Sequence, residues 1–171
     1  ASEASAACDA CPAGFVSGPA AAACAQCPAG RATTNGTVCE ACAAGTFSPS
    51  GATRCLACDG GKYAGRGAEF CSDCAAGTRS NASAAACEYC PAGTYSPASS
   101  SFCVACPENS ASAPGSATCA SCDVGEVPTA GNGTCVACPP GAYAQLGDAV
   151  CAPCAAGRFG ASPGLGACSF C

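Results

Sequence analysis

The stretch that decides the fold runs Cys90-Pro91-Ala92-Gly93-Thr94-Tyr95-Ser96 and closes at Cys103-Val104-Ala105-Cys106. A Cys opens it, Gly93 stands three places on, Tyr95 two beyond that, and a Cys-x-x-Cys unit ends it. Moving outward, the same unit recurs at 8/11, 24/27, 39/42, 55/58, 71/74, 87/90, 103/106, 119/122, 135/138, 151/154 and 168/171. The first cysteines are spaced by 16, 15, 16, 16, 16, 16, 16, 16, 16 and 17 residues. A fixed period along a whole chain marks a tandem array whose units touch mainly their neighbours. Residues 1–171 therefore read as one continuous array of eleven units and ten loops, without a linker.

Composition says what must hold such an array together. Val, Leu and Phe, with no Ile, supply 16 of 171 residues, about 9%. Chains below ~20% in these residues do not bury enough apolar surface to fold. Cysteine at 22 of 171, about 13%, takes over that role. There is no His, so Ser-His-Asp and Cys-His catalysis and imidazole metal sites are excluded. The chain is not expected to be an enzyme or to carry a cofactor. No run of ~18 apolar residues occurs, so membrane insertion is not expected. A net charge of −5 with only 6 Lys+Arg argues against a nucleic-acid partner. Without an initiator Met or an apolar leader, the chain is expected to be a segment of a longer, exported array.

The loops, numbered 1 to 10 from Cys11–Cys24 onward, share their turn chemistry. Three residues past the opening Cys comes Gly14, Gly30, Gly45, Gly61, Gly77, Gly93, Gly125, Gly141 or Gly157, and Asn109 in loop 7. Gly and Asn reach positive φ at least cost, so each loop turns there, Asn109 included. Asn109 is followed by Ser110-Ala111 and is not a glycosylation sequon. Pro12, Pro28, Pro91, Pro107 and Pro139 follow the opening Cys and are expected to set the first turn angle. The expected fold is a small disulfide-rich tandem repeat: an elongated rod of ~16-residue loops with turns, short β ladders and almost no helix.

A second period overlies the first. Asn-x-Ser/Thr sequons fall at Asn35, Asn81 and Asn132, in loops 2, 5 and 8, while Phe47, Tyr95 and Tyr143 fall in loops 3, 6 and 9. The super-repeat is three loops, 48 residues. The three asparagines are the candidate N-glycosylation sites, and covalent glycans the expected modification. Phe47, Tyr63, Tyr95, Tyr143 and Phe159 are expected to cover their own cystines rather than form a binding stripe. Glu40, Asp59, Glu69, Asp73, Glu88, Glu108, Asp123, Glu126 and Asp148 are scattered singly, without the convergent spacing of a calcium site.

Three chemistries use Cys-x-x-Cys. Redox catalysis needs a helix N-terminus in a βαβ setting, which nothing here supplies. Zinc sites of four cysteines consume the units in twos, and eleven is odd; the zinc array stands as a second alternative. Disulfides fit a secreted scaffold short of apolar core. Two repeating connectivities are open. The sequential one pairs Cys11–Cys24, Cys27–Cys39, Cys42–Cys55, Cys58–Cys71, Cys74–Cys87, Cys90–Cys103, Cys106–Cys119, Cys122–Cys135, Cys138–Cys151 and Cys154–Cys168. Each such bridge closes about 14 residues, worth roughly 3 kcal/mol in the chain-entropy description. The other crosses two units and strands one of the eleven. The sequential pattern is expected, leaving Cys8 and Cys171 to bridge chain outside the segment; no metal site is expected.

The Cys90–Cys106 stretch resembles the cysteine-rich repeat of ephrin-receptor-like ectodomains, as do Cys42-Ala43-Ala44-Gly45-Thr46-Phe47-Ser48 and Cys138-Pro139-Pro140-Gly141-Ala142-Tyr143. The first modules of tumour-necrosis-factor-receptor repeats are similar. The resemblance implies that the Cys before Pro-x-Gly bonds the Cys closing its loop. Long uninterrupted runs of such repeats are similar to surface and mastigoneme-type glycoproteins of algae and other protists. The resemblance thus implies an extracellular, cell-surface structural glycoprotein whose partners are further copies or other filament subunits. The alternative is the stalk or ligand-binding ectodomain of a cell-surface receptor.

Overall fold

The computed structural model describes residues 11–18, 23–33 and 37–171. Among them there is no helix, and the strands are two or three residues long. The repeated element is a minimal antiparallel hairpin. In loop 6, Thr94–Tyr95 pairs with Val104–Ala105 in the register Thr94↔Ala105 and Tyr95↔Val104. One arm lies just past the Gly turn and the other is the pair of residues inside the closing Cys-x-x-Cys. A two-residue hairpin is far too short to hold by itself. Its ends are joined by the cystine.

The turn that starts each loop has Gly at its third position. Thr94 N–H donates to Pro91 C=O at 3.2 Å and Phe15 N–H to Pro12 C=O at 3.0 Å. Gly93 and Gly14, at the third corner, have φ of 75° and 86°. Positive φ at that corner is what a type II turn needs. The prolines stand one place earlier than expected. Each sits at the first corner, where only its carbonyl is used, so Ala43 and Ala75 serve equally well: they accept from Thr46 and Thr78 at 3.1 and 3.0 Å. Proline here limits the unfolded chain rather than shaping the turn.

The chain divides into two compact units, Ala1–Ser72 with Ala82–Ala86, and Asp73–Asn81 with Cys87–Cys171. In the first, the hairpins Phe15–Val16/Ala25–Gln26, Arg31–Thr33/Cys39–Ala41 and Thr46–Phe47/Leu56–Ala57 follow one another. The second carries six, from Thr78–Arg79/Glu88–Tyr89 to Arg158–Phe159/Ser169–Phe170.

Within each unit, neighbouring loops are tied by backbone hydrogen bonds at fixed places. The turn glycine donates to the carbonyl six places past the opening Cys of the next loop: Gly30 to Ser48 and Gly77 to Ser96 at 2.8 Å, Gly93 to Ser112 at 2.9 Å. The residue nine places past an opening Cys donates back to the opening Cys of the loop before: Gly51 to Cys27, Gly67 to Cys42, Ser99 to Cys74 and Gly115 to Cys90, each at 2.8 Å. Serine hydroxyls add a third tie: Ser48 Oγ to Arg31 C=O at 3.0 Å, Ser96 Oγ to Thr78 C=O and Ser112 Oγ to Thr94 C=O at 2.9 Å. The interior these ties enclose is made of small side chains. Cys27, Cys42, Cys58, Cys74, Cys90, Cys122, Cys138, Ser48 and Ser96 are the largest fully buried ones among the described residues. Cystine sulfur takes the place that Leu and Ile hold in an ordinary core.

Loops two apart also touch, through the turn glycine. A Cβ on Gly30 would collide with the backbone oxygen of Gly67, one on Gly45 with that of Ser83, and one on Gly93 with that of Gly131. The glycine thus meets two demands, a left-handed φ and room for a carbonyl from two loops on.

Candidate functional site

The cysteines come first, because everything else is placed by them. The structure joins Cys11–Cys24, Cys27–Cys39, Cys42–Cys55, Cys58–Cys71, Cys74–Cys87, Cys90–Cys103, Cys106–Cys119, Cys122–Cys135, Cys138–Cys151 and Cys154–Cys168. The Cα–Cα distances run from 5.5 to 5.8 Å, within the range that an unstrained cystine spans. Sulfur committed to a cystine is no thiolate, so among the described residues the zinc alternative has no four-cysteine site to draw on. Cys171 is exposed and unbridged. Cys8 lies outside the described residues.

Of the sequon asparagines, Asn35 also lies outside the described residues. Asn81 is exposed and its side-chain oxygen accepts from Arg79 at 3.4 Å. Asn132 is half-exposed with φ of 52°, and its backbone carbonyl accepts from Ser112 N–H at 2.8 Å. The two do not occupy equivalent places: Asn81 is seven residues past Cys74, Asn132 ten past Cys122.

Asn109 departs from both. It is buried, with φ of 56°. Its carboxamide orientation follows from its neighbours: Nδ2 donates to Asp148 C=O at 2.8 Å and Oδ1 accepts from Gly147 N–H at 2.9 Å. The side chain therefore stands in loop 7 where a glycine would admit the backbone of loop 9, and bonds that backbone instead.

The rings divide into two sets. Phe47, Tyr63, Tyr95 and Tyr143 are half-buried, and Phe159 is 48% exposed. A second set flanks the cysteines and had no place in the sequence reading: Phe70 is 60% exposed, Phe102 62%, Tyr89 78% and Phe170 73%. Tyr89 lies over Gly115, whose Cβ, were there one, would sit 2.9 Å from the ring. Arg158 stacks its guanidinium on Phe170 at 3.9 Å from the ring centre. Where loop 7 has Ala111 at the ring position, a groove of about 330 Å³ opens, lined by Ala111, Ser112, Ser116, Thr118 and Thr134.

The charged groups make local contacts. Arg79 pairs with Glu88 at 3.1 Å, Asp73 accepts from Ser99 Oγ at 2.9 Å, and Asp148 accepts from Gln145 N–H at 2.7 Å. Among the described residues no three acidic or cysteine side chains gather as metal ligands, and no helix is long and apolar enough to cross a membrane.

No curated protein sequence matches the chain. The family model described as tyrosine-protein kinase ephrin type A/B receptor-like matches residues 77–114, from the turn glycine of loop 5 through all of loop 6 and into loop 7. That segment carries an ephrin-receptor-like cysteine-rich repeat, set in a regular array of disulfides.

Proposed function

We propose that the chain is an extracellular structural glycoprotein, a disulfide-stapled scaffold that builds a filament, surface hair or wall layer. The cystine array and the ephrin-receptor-like repeat support the extracellular setting. One observation carries the structural reading: the distinctive polar groups of the loops are spent on neighbouring loops. Turn N–H groups, serine hydroxyls and the carbonyls of opening cysteines bond the loop before or after, from Gly30–Ser48 to Gly141–Gly160. Loops built to grip one another suit length and resistance to proteolysis better than recognition of a ligand. Its partners are further copies or other filament subunits, and N-linked glycans on Asn35, Asn81 and Asn132 keep parts of the surface from associating.

The receptor reading keeps one observation of its own, the exposed rings of Phe70, Tyr89 and Phe102, since aromatic side chains anchor protein interfaces. Intact mass tests the first reading: protein purified from its native source is weighed without reduction, after reduction, and after enzymatic removal of N-glycans. Reduction should add the hydrogens of every bridge, and deglycosylation should remove sugar at the sequons. A protein that carries no sugar and is found inside the cell would end the proposal.

A further inference from the structure

The sequon at Asn132 and the groove in loop 7 lie side by side, and the repeat itself puts them there. Elsewhere the residue ten places past an opening Cys forms a parallel bridge with the ring position of the loop before: Ala68 with Phe47, Ala84 with Tyr63 and Ser100 with Arg79. A backbone bond fixes each pair, Ser48 N–H to Ala68 C=O at 3.2 Å, Ala64 N–H to Ala84 C=O at 3.1 Å and Ser80 N–H to Ser100 C=O at 3.3 Å. Asn132 holds that tenth place in loop 8. Its carbonyl accepts the corresponding bond from Ser112 N–H at 2.8 Å, which sets it next to the Ala111–Ser112 step. Ala111 brings no ring, and the groove of about 330 Å³ opens there. The next two residues of the sequon, Gly133 and Thr134, form part of its wall.

We propose that this groove seats the first N-acetylglucosamine of the glycan on Asn132, so that a sugar ring fills in loop 7 the place that Tyr95 and Tyr143 fill with half-buried side chains in loops 6 and 9. The lining has the two-sided chemistry of a pyranose. Ala111 and Ala120 offer apolar surface to its C–H face, and the hydroxyls of Ser116, Thr118 and Thr134 meet its polar edge. Ser116 Oγ donates to Ala113 C=O at 2.7 Å and keeps its lone pairs for a sugar hydroxyl or the acetamido N–H. The volume stands at the low end of small-ligand sites, ~300–1,000 Å³. So shallow a groove would hold a free saccharide weakly, but a sugar tethered one residue away is present at high effective concentration. The stem of the tether is also fixed in advance. Asn132 has its carbonyl bonded, φ of 52°, and its Cβ 3.2 Å from where a Cβ on Gly93 would stand. Asn81 has none of this: it is exposed, seven places past its opening Cys, and its sugar stands in solvent. The inference rests on the glycoprotein reading and adds that one of the glycans is a packed part of the array.

The test uses the oxidised chain secreted from a eukaryotic host, with its glycans trimmed to a single N-acetylglucosamine and the occupied sequons identified by peptide mapping. Nuclear Overhauser contacts are expected from the acetyl methyl of the Asn132-linked sugar to the methyls of Ala111 and Thr118, and none from the Asn81-linked sugar to loop 7. An amidase that removes the sugar and leaves aspartate, which also tolerates a left-handed φ, should speed amide exchange at Ser116 and Thr118 by about threefold or more. Asn81→Gln should leave that exchange unchanged. Ala111→Tyr puts a ring into the groove and should abolish the sugar contacts while Asn132 stays glycosylated, with Cys106–Cys119 confirmed by mapping. Should that bridge not form, Thr118→Lys, at an exposed position on the rim, replaces it as the blocking variant. Sugar on Asn132 that makes no contact with loop 7, contacts that survive the blocking variant, exchange that the amidase leaves unchanged, or a bare Asn132 beside an occupied Asn81 would each overturn the seat and leave the glycoprotein reading standing. A chain bare at all three sequons ends both.

Discussion

Gly93 and Asn109 hold the same place in successive loops and solve the same problem differently. Both have positive φ, 75° and 56°. Both use their own carbonyl alike, accepting from Cys106 N–H and Cys122 N–H at 2.9 Å. They part at the neighbour two loops on. Gly93 admits the Gly131 carbonyl into the space a Cβ would fill. Asn109 fills that space and offers its carboxamide to Gly147 N–H and Asp148 C=O. The turn thus needs a residue that tolerates the left-handed region, while the stack needs a residue that either vanishes or replaces the contact it blocks. Asn satisfies both, and Ala or Val neither.

The largest effect expected is one that erases the difference. Full reduction should abolish order in both loops at once, because each bridge is worth roughly 3 kcal/mol and the small buried side chains offer little in its place. Amide NMR dispersion, followed as reductant is added, should collapse for residues around Gly93 and Asn109 together, and a chelator should leave it unchanged. Survival of dispersed signals in either loop after reduction would mean that packing, and not cystine, holds it.

Next comes the stack itself. Gly93→Val combines a left-handed φ, which costs a β-branched side chain about 2 kcal/mol, with a collision against backbone. A loss of 3 kcal/mol or more is expected on these grounds together, about the worth of one bridge. Gly93→Asn should cost about 1 kcal/mol, since Asn tolerates that φ and can bond what it displaces. Denaturant midpoints at unchanged slope measure both. Equal losses for Val and Asn would show that space alone matters there and that the carboxamide substitution at Asn109 is incidental.

The reverse change is smaller. Asn109→Ala should cost about 2 kcal/mol, from the strained φ and the loss of two hydrogen bonds at a buried site. Asn109→Gly should fall within about 1 kcal/mol of the parent, since Gly is at ease in that φ and leaves room for the Gly147 backbone to settle. If Gly costs as much as Ala, the carboxamide bonds outweigh the backbone preference.

The two residues also show what could be read from the sequence and what could not. The loop period, the minimal hairpins and the left-handed turn are local, and Cys spacing with Gly or Asn at a fixed offset displays them directly. The period reduced the pairing to two repeating patterns, of which the structure holds the sequential one. The approach of Gly131 to Gly93 is not local. It joins residues 38 apart, and its trace in the sequence is the glycine that the turn already explains. The exposed rings were hidden for another reason. The aromatic column two places past the turn glycine drew the reading, yet Phe70 and Phe102 precede a closing Cys, while Tyr89 and Phe170 lie between two. A hairpin arm alternates its faces, so residues neighbouring an inward cysteine point outward.

The smallest effect concerns the serine hydroxyls. Ser96 Oγ donates to Thr78 C=O at 2.9 Å from a fully buried position. Ser96→Ala should cost about 1 kcal/mol, the net worth of one such bond. The array carries its own control, because Ala64 and Ala144 occupy the same place in loops 4 and 9, equally buried, and those loops keep their backbone ties: Ala144 N–H donates to Leu165 C=O at 3.0 Å and Ala144 C=O accepts from Gly125 N–H at 2.8 Å. The hydroxyl is thus a supplement to a ladder that stands without it. Ala144→Ser should then change stability by less than about 0.5 kcal/mol, since a small side chain that finds an acceptor roughly offsets its own desolvation. A Ser96→Ala loss well above 2 kcal/mol would show the opposite, that loop 6 depends on its side-chain bond where loop 9 does not, and that the ladder is not the common support of both.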